Sequence, residues 1–322
     1  MLFERIESEG LAHYSYIVGH NKEALVIDPR RDIDIYLWLA YRKGYNIKYI
    51  LETHRNEDYV VGSRELSEKT GAEIFHADSQ LDYKYGQEVT SGQQWKVGSY
   101  KIEAIYSPGH TEGSMSYLLF EPGGSPWILF TGDALFAGDV GRVDLLGKDK
   151  IKEMADMLYD TIFHKFLSLG DGIIICPAHG AGSVCGSEIT DRIWTTIGLE
   201  KKLTPKLQLT KKKDFIKNIS KDLEKPYYFK QMEKFNLEGA PILGSLPLPT
   251  PLSPGEFAKK TKNSVVLDSR MELGFATAHI PGSLSIWKDG IPNFAGWFLP
   301  YNKSILLVNE TDDPLPVVRL LV

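Results

Sequence analysis

Four short stretches of this sequence each close an apolar run with a residue of metal-ligand type in a polar turn. They are ETHRNED, with His54 and Asp58; SPGHTEGS, with His110; FTGDALF, with Asp133; and CPAHGAGSVCG, with His179. Imidazole and carboxylate are side chains that hold zinc and iron. A lone histidine is more often a structural hydrogen-bonding residue. Three of the chain's eight histidines fall in these turns, however, and together the four turns point to a metal centre. The first stretch is short of histidines for a metal-binding loop. It is either a decayed site or one built for a different metal.

Residues so far apart in sequence meet only if the fold gathers strand ends. AHYSYIVG and EALVIDP are short β-rich runs, and the second ends in the turn signal Asp28-Pro29. DIDIYLWLAYRKG has apolar residues at helical spacing and stops at Gly44. NIKYILETH is an apolar run with a polar end, EDYVVGSRELSEKTG reads as a helix ending at Gly71, and AEIFHAD reads as a strand. From Gln94 to Asp133 the strands WKVGSYKIEAIYS, SMSYLLFE and PWILFTGD follow one another. Residues 149–169 read as helix, and GIIICPAHG as a buried strand ending in His179. The layout predicts stacked sheets flanked by helices, with polar residues collected at one edge. Residues 187–235 read as mostly helical and carry Lys201, Lys202, Lys206, Lys211, Lys212, Lys213 and Lys217. They form either a solvated face or an electropositive rim for an anionic substrate.

The stretch APILGSLPLPTPLSPGEF holds five prolines in eighteen residues and reads as a linker. It divides the chain into a domain over 1–239, a linker over 240–252 and a second unit over 253–322. A length of 322 residues fits about two domains. The net charge of −5 and pI near 5.9 argue against nucleic acid as a partner, since phosphate binding needs a concentrated basic surface. No apolar run approaches ~20 residues, so no membrane span is expected. The two cysteines, Cys176 and Cys185, form no C-x-x-C pair, and MLFERIESEG lacks the apolar run of a signal peptide. Both features make the cytoplasm the expected compartment.

The turns resemble those of the metallo-β-lactamase superfamily. Its T-H-x-H-x-D-H loop is present in altered form over Thr53–Tyr59, its G-H-T-x-G-S turn over Gly109–Ser114, and its G-D turn at Gly132-Asp133. The resemblance covers roughly residues 1–230. It implies an α/β (α+β) fold, an αββα sandwich with the metal at one edge. Two-zinc hydrolases of that family, such as glyoxalase II, would use positions 54, 56 and 110 for one ion and 58, 59 and 179 for the other, bridged by Asp133. Here position 56 is Asn and position 59 is Tyr. Asn is a poor transition-metal ligand and Tyr an uncommon one.

His54, His110 and Asp133 remain, the two-histidine, one-carboxylate set of non-haem Fe(II) oxygenases. Within the superfamily this pattern resembles the persulfide dioxygenases, and GDVGRVDL and PAHGAGSVCG resemble segments of their rhodanese fusions. The resemblance implies one Fe(II) per chain, with zinc as the alternative. It also implies a small thiol persulfide, such as glutathione persulfide, and O₂ as partners, and a homodimer. Asp58, Tyr59 and His179 become candidate catalytic residues. Asp58 either supports a ligand or caps the following helix. Tyr59 fills the space of the second metal. His179 contacts substrate or Tyr59. Arg142 holds either a substrate carboxylate or a neighbouring loop, paired with Asp144. Cys185 either approaches the substrate sulfur or is an inert buried thiol. Tyr227, Tyr228 and Lys230 lie where the family's helical extension touches a thiol substrate. Two other functions stay open: a zinc-dependent thioester hydrolase, and a non-catalytic sulfur-carrier or docking protein.

The second unit resembles the start of a rhodanese domain through Asp268, Arg270, Glu272, Phe275 and the turn His279-Ile280-Pro281-Gly282. A working rhodanese needs a cysteine after the strand SILLVN. The chain has Glu310-Thr311-Asp312-Asp313 there and no cysteine beyond Cys185. The expectation is a partial, inactive rhodanese-like unit. VVRLLV reads as a helix cut short, so the natural protein is expected to continue into a further rhodanese domain.

Overall fold

A computed structural model describes residues 1–8 and 10–322, and their contacts divide the chain into two units. The first comprises Met1–Ser8, Ala12–Lys225 and Phe229–Pro241. It is built on two six-stranded sheets. One contains β1 (Leu2–Ser8), β2 (His13–His20), β3 (Glu23–Ile27), β4 (Asn46–Leu51), β5 (Glu73–His76) and β6 (Gln87–Glu88), in that spatial order. The other runs β12 (Thr195–Thr196), β11 (Ile174–Pro177), β10 (Pro126–Gly132), β9 (Met115–Phe120), β8 (Tyr100–Tyr106), β7 (Gln94–Val97).

Strand periodicity explains the layers. Along β2, Tyr16 and Val18 enter the core between the sheets, while Ile17 faces outward; along β3, Leu25 and Ile27 face inward, and Ala24 and Val26 outward. On β10, Ile128 and Phe130 point inward and Leu129 outward. Both faces are covered, so successive residues are buried, and the chain is apolar without alternation along Ala24–Ile27 of β3 and Ile128–Phe130 of β10. The outer face of the first sheet packs on α1 (Asp34–Lys43) and α2 (Ser63–Thr70), through Tyr36, Leu39 and Leu66. The outer face of the second packs on α3 (Ile151–Tyr159), on its π-helical continuation Asp160–Phe166, and on α4 (Ile197–Leu203) and α5 (Lys212–Ile219). The result is the expected αββα sandwich.

Two local expectations are corrected. The helix read from Glu57 begins only at Ser63, after the cap residue Gly62. Arg30 bridges to Val61, Asn236 accepts the Val61 N–H, and Gly62 donates to the Pro29 carbonyl, so residues 57–62 are held as loop. The stretch 187–235 is less helical than read. Besides α4 and α5 it holds a short 3₁₀ turn and the start of α6 (Phe229–Glu238), and residues 220–228 are irregular up to a two-residue turn. Several lysines there are paired, Lys206 with Asp139, Lys201 with Asp171, and Lys212 with Asp156 and Asp160.

The second unit consists of Ile242–Val322 with Pro226–Tyr228 and residues 10–11. Its elements are α7 (Pro254–Lys260), β13 (Ser264–Asp268), α8 (Glu272–Thr277), β14 (Leu284–Ser285), α9 (Ile291–Phe298), β15 (Ser304–Val308) and α10 (Leu315–Leu321). The sheet is parallel, in the order β14-β13-β15, around Leu267, Ile286, Ile291, Leu299 and Val317. Ser253 and Glu256 cap α7 reciprocally. Among the described residues no helix is long and apolar enough to cross a membrane.

Candidate metal centre

Each ligand-type side chain is set by a strand end. His54 follows β4, His110 lies in the β8–β9 connection, Asp133 directly follows β10, and His179 follows β11. Cross-sheet hydrogen bonds bring these ends together. Met115 N–H donates to the Thr53 carbonyl at 2.8 Å, Tyr117 Oη to the Glu52 carbonyl at 2.8 Å, and Tyr16 Oη to the Pro177 carbonyl at 2.7 Å. Gly141 is forced by this closeness, since a Cβ there would lie 1.9 Å from the Asp133 carbonyl oxygen.

His54, His110 and Asp133 converge. Asp133 Oδ2 is 3.5 Å from His110 Nε2 and 3.8 Å from His54 Nε2. Two atoms bound cis to one ion by bonds of about 2.1 Å lie roughly 3.0–3.4 Å apart, so the observed spacing needs little adjustment. All three side chains are buried, and His110 Nε2 and Asp133 Oδ2 have no hydrogen-bond partner. Buried polar atoms are normally satisfied, and a cation among these atoms would satisfy both. The residues present therefore fit a metal ion.

The far side of each ring fixes its orientation. Thr53 Oγ1 donates to Asp28 Oδ2 at 2.7 Å, which leaves it to accept from His54 Nδ1 at 2.8 Å. His110 Nδ1 donates to the Arg142 carbonyl at 3.0 Å. Both rings thus carry a proton on Nδ1 and turn Nε2, the nitrogen left for a metal, toward Asp133. Supporting partners of this kind typically contribute 10–100-fold to metal affinity. Thr53→Val keeps the shape and removes the hydroxyl. It is expected to weaken metal binding about 10-fold in chelator competition; unchanged affinity would show that His54 needs no such support.

Burial would lower His110, but Glu57, Asp133 and the Arg142 carbonyl outweigh it and raise it above its ordinary value, so a metal bound there displaces a proton. Burial, with smaller contributions from His110 and His179, pushes His54 down to about 3, so its imidazole is neutral. Burial alone would raise Asp133, but the neighbouring His179, His110 and His54 hold it well below the usual carboxylate range. Burial would also lower His179, and Asp133 and Asp58 outweigh that and raise it well above its ordinary value. For Asp28, burial dominates and raises the carboxyl to about 7, despite the two Thr53 donors.

A second group adjoins the first. His179 Nδ1 donates to Asp133 Oδ1 at 2.7 Å, and its Nε2 lies 3.0 Å from Asp58 Oδ2. That second approach is an ion pair between two buried groups. Ligand atoms of Asp58, His179 and Cys185 all lie within 4.8 Å of one another, as do those of His110, Asp133 and Cys185. Burial first, and then Asp133 and Asp58, push the Cys185 thiol well up, so it is protonated.

The other expected site residues are placed as follows. Asp58 does not cap α2; Gly62 does, and Asp58 is buried against His179. His179 does not reach for Tyr59, because its ring faces Asp133 and Asp58. Tyr59 instead packs on His13, with ring centroids 3.9 Å apart and a hydroxyl without a partner. The guanidinium of Arg142 is not open to a substrate carboxylate. It binds both oxygens of Asp144 at 2.8 Å and the carbonyls of Val184 and Leu223, which explains the irregular chain at 220–225. Tyr227 and Tyr228 pack on Trp297 within the second unit, and Lys230 is exposed on α6.

Four contributors escaped the sequence. Asp28 and Thr53 orient His54, although Asp28 stood out only as a turn residue. Asn236 of α6 bridges the Asn56 and Tyr59 carbonyls from its amide nitrogen and accepts from Val61 N–H, so it holds the whole loop. Glu57 lies with His54 and His110 in a third cluster of potential ligands.

A family model described as the metallo-beta-lactamase superfamily matches residues 9–179. The chain is 28% identical over 225 residues to the mitochondrial persulfide dioxygenase ETHE1 of Bos taurus, covering 66% of this chain and 78% of that protein. It is 27% identical over 212 residues to the hydroxyacylglutathione hydrolase GloC of Haemophilus influenzae, covering 59% of this chain and 90% of that one. Among solved structures, a metallo-beta-lactamase from Staphylococcus aureus subsp. aureus COL superposes with a TM-score of 0.86 at 30% identity, covering 99% of this chain and 94% of that one.

Proposed function

Because the chain belongs to the metallo-beta-lactamase superfamily, we propose that it is a mononuclear Fe(II) persulfide dioxygenase. The overall reaction is RSSH + O₂ + H₂O → RSH + sulfite + 2H⁺. The observation that carries this reading is the convergence of the Nε2 atoms of His54 and His110 on Asp133 Oδ2, with Asn and Tyr at the two loop positions a two-zinc site would use. When bound, Fe(II) supplies a redox-active centre with open positions for sulfur and dioxygen. The protein's own part is positional. Thr53 and the Arg142 carbonyl fix the two imidazoles, His179 anchors Asp133, and burial of all these side chains keeps bulk water out. The cationic His179 also sets a positive charge beside the site, which suits an anionic persulfide.

A second reading has an observation of its own. The Asp58–His179–Cys185 group beside Asp133 is a possible second metal pole, and GloC, a hydrolase, is about as similar as ETHE1. A zinc-dependent thioester hydrolase would use it. In this proposal the second unit is a rhodanese-like appendage with no sulfur-transfer cysteine.

The expected result on a panel of substrates is oxygen uptake and sulfite from glutathione, coenzyme A and simple alkyl persulfides, at differing rates, and no cleavage of S-lactoylglutathione. Thioester cleavage without oxygen uptake would replace the dioxygenase with the hydrolase. Neither activity in a metal-loaded protein would favour a docking role.

A further inference from the structure

Glu57 is a carboxylate with one oxygen left over. It is only 1% exposed. Its Oε1 accepts from Arg55 Nη2 at 3.3 Å, and its Oε2 has no hydrogen-bond partner. That free oxygen lies 3.7 Å from His110 Nε2, within the 3.5–3.8 Å range that Asp133 Oδ2 keeps from the two imidazoles. Ligand atoms of His54, Glu57 and His110 all fall within 4.8 Å of one another. A buried carboxylate oxygen without a donor is costly unless a cation is near. It faces His110 Nε2, the nitrogen that also faces Asp133 Oδ2.

The side chain is also held in place. Arg55 bridges Glu57 to Glu233 of α6 at 3.2 Å, and the Arg55 backbone N–H is anchored on Asp78 Oδ2 at 2.7 Å. The loop that carries Glu57 is pinned by Asn236. Next to it, Asn56 spends its amide nitrogen on the His54 carbonyl and offers at most a neutral amide oxygen.

We propose that Glu57 is a fourth protein ligand, so that the centre is a two-histidine, two-carboxylate set of His54, Glu57, His110 and Asp133. This rests on the proposed metal-dependent function. It makes the ligand set doubly anionic toward a divalent ion. It also leaves two open positions on a six-coordinate metal instead of three, enough for one sulfur and one dioxygen.

The test uses the full chain and Co(II) as a spectroscopic probe, beside Fe(II) affinity measured anaerobically. Glu57→Ala and the isosteric Glu57→Gln are compared with wild type and Asp133→Ala, and circular dichroism verifies folding. Both Glu57 variants are expected to lose 10-fold or more in metal affinity and to shift the visible Co(II) bands, because a ligand has changed. Unchanged affinity and bands in Glu57→Gln and Glu57→Ala, with Asp133→Ala still losing the ion, would overturn the proposal while leaving the three-ligand centre intact. Weaker affinity with unchanged Co(II) bands would also overturn it, since Glu57 would then act through charge alone. A wild-type protein that takes up no metal would instead overturn the function on which the proposal rests.

Discussion

Asp133→Ala is expected to abolish stable metal binding and, with it, persulfide-dependent oxygen uptake. The carboxylate has two jobs. Oδ2 is the atom on which His54 and His110 converge, and Oδ1 accepts from His179. Loss of a supporting residue typically costs 10–100-fold in metal affinity, and loss of a ligand should cost ~100-fold or more. The variant also leaves His179 buried with only Asp58 beside it, and removing one partner of a buried charged pair costs about 3–5 kcal/mol. A lower melting temperature is therefore expected alongside metal loss. Asp133→Asn separates the two effects, because it keeps the shape and a hydrogen-bond acceptor for His179 but not the anionic ligand. Asn56→Ala is the contrast, with metal content close to wild type. Metal analysis by mass spectrometry decides the matter. Metal retained in Asp133→Ala, or lost in Asn56→Ala, would mean that the ligand set is wrong.

The difference between those two variants marks what could be read from the sequence. His54, His110, Asp133 and His179 were legible because each follows an apolar strand run, and strand runs show in the residue pattern. The sandwich was legible for the same reason: β3 and β10 bury both faces, so Ala24–Ile27 and Ile128–Phe130 are unbroken apolar runs. The loop from Glu57 to Gly62 was not. Its pattern of charged and apolar residues fits a helix, and only contacts remote in sequence, from Asn236, Arg30 and Pro29, hold it open. Arg142 was legible in part: of the two roles open to it, the structure has the hold on neighbouring loops, with Asp144 two residues away taking both of its parallel donors. Its contribution to the site comes from the backbone carbonyl under His110, which no side-chain pattern reveals. Glu57 does not stand out in the sequence, because it falls between two positions where ligands are expected and its aim depends on the path of the loop.

Metal replacement should separate the two candidate chemistries most sharply. Removing the metal with a chelator under anaerobic conditions is expected to bring sulfite formation to background. Fe(II) should restore it, and Zn(II) should occupy the same residues without restoring it, because zinc has no redox chemistry. The donor set gives a reason to expect zinc at the same residues. His54 and His110 present imidazole nitrogens and Asp133 a carboxylate, donors that both ions accept. A hydrolase with the same ligands would need a second ion beside the first, and here Asp58, His179 and Cys185 would have to supply it. His179 Nε2 and Asp58 Oδ2, 3.0 Å apart, have the spacing of two ligands of one ion, but His179 meets that demand only by losing the proton that the adjacent Asp133 and Asp58 hold on it. Tyr59, at the position of the missing ligand, packs against His13 with the rings tilted by 36°. The expected stoichiometry is therefore one ion per chain after reconstitution with either metal. Two zinc ions per chain, with thioester cleavage restored by zinc, would show that the second group is a working metal pole and that the chain is a hydrolase.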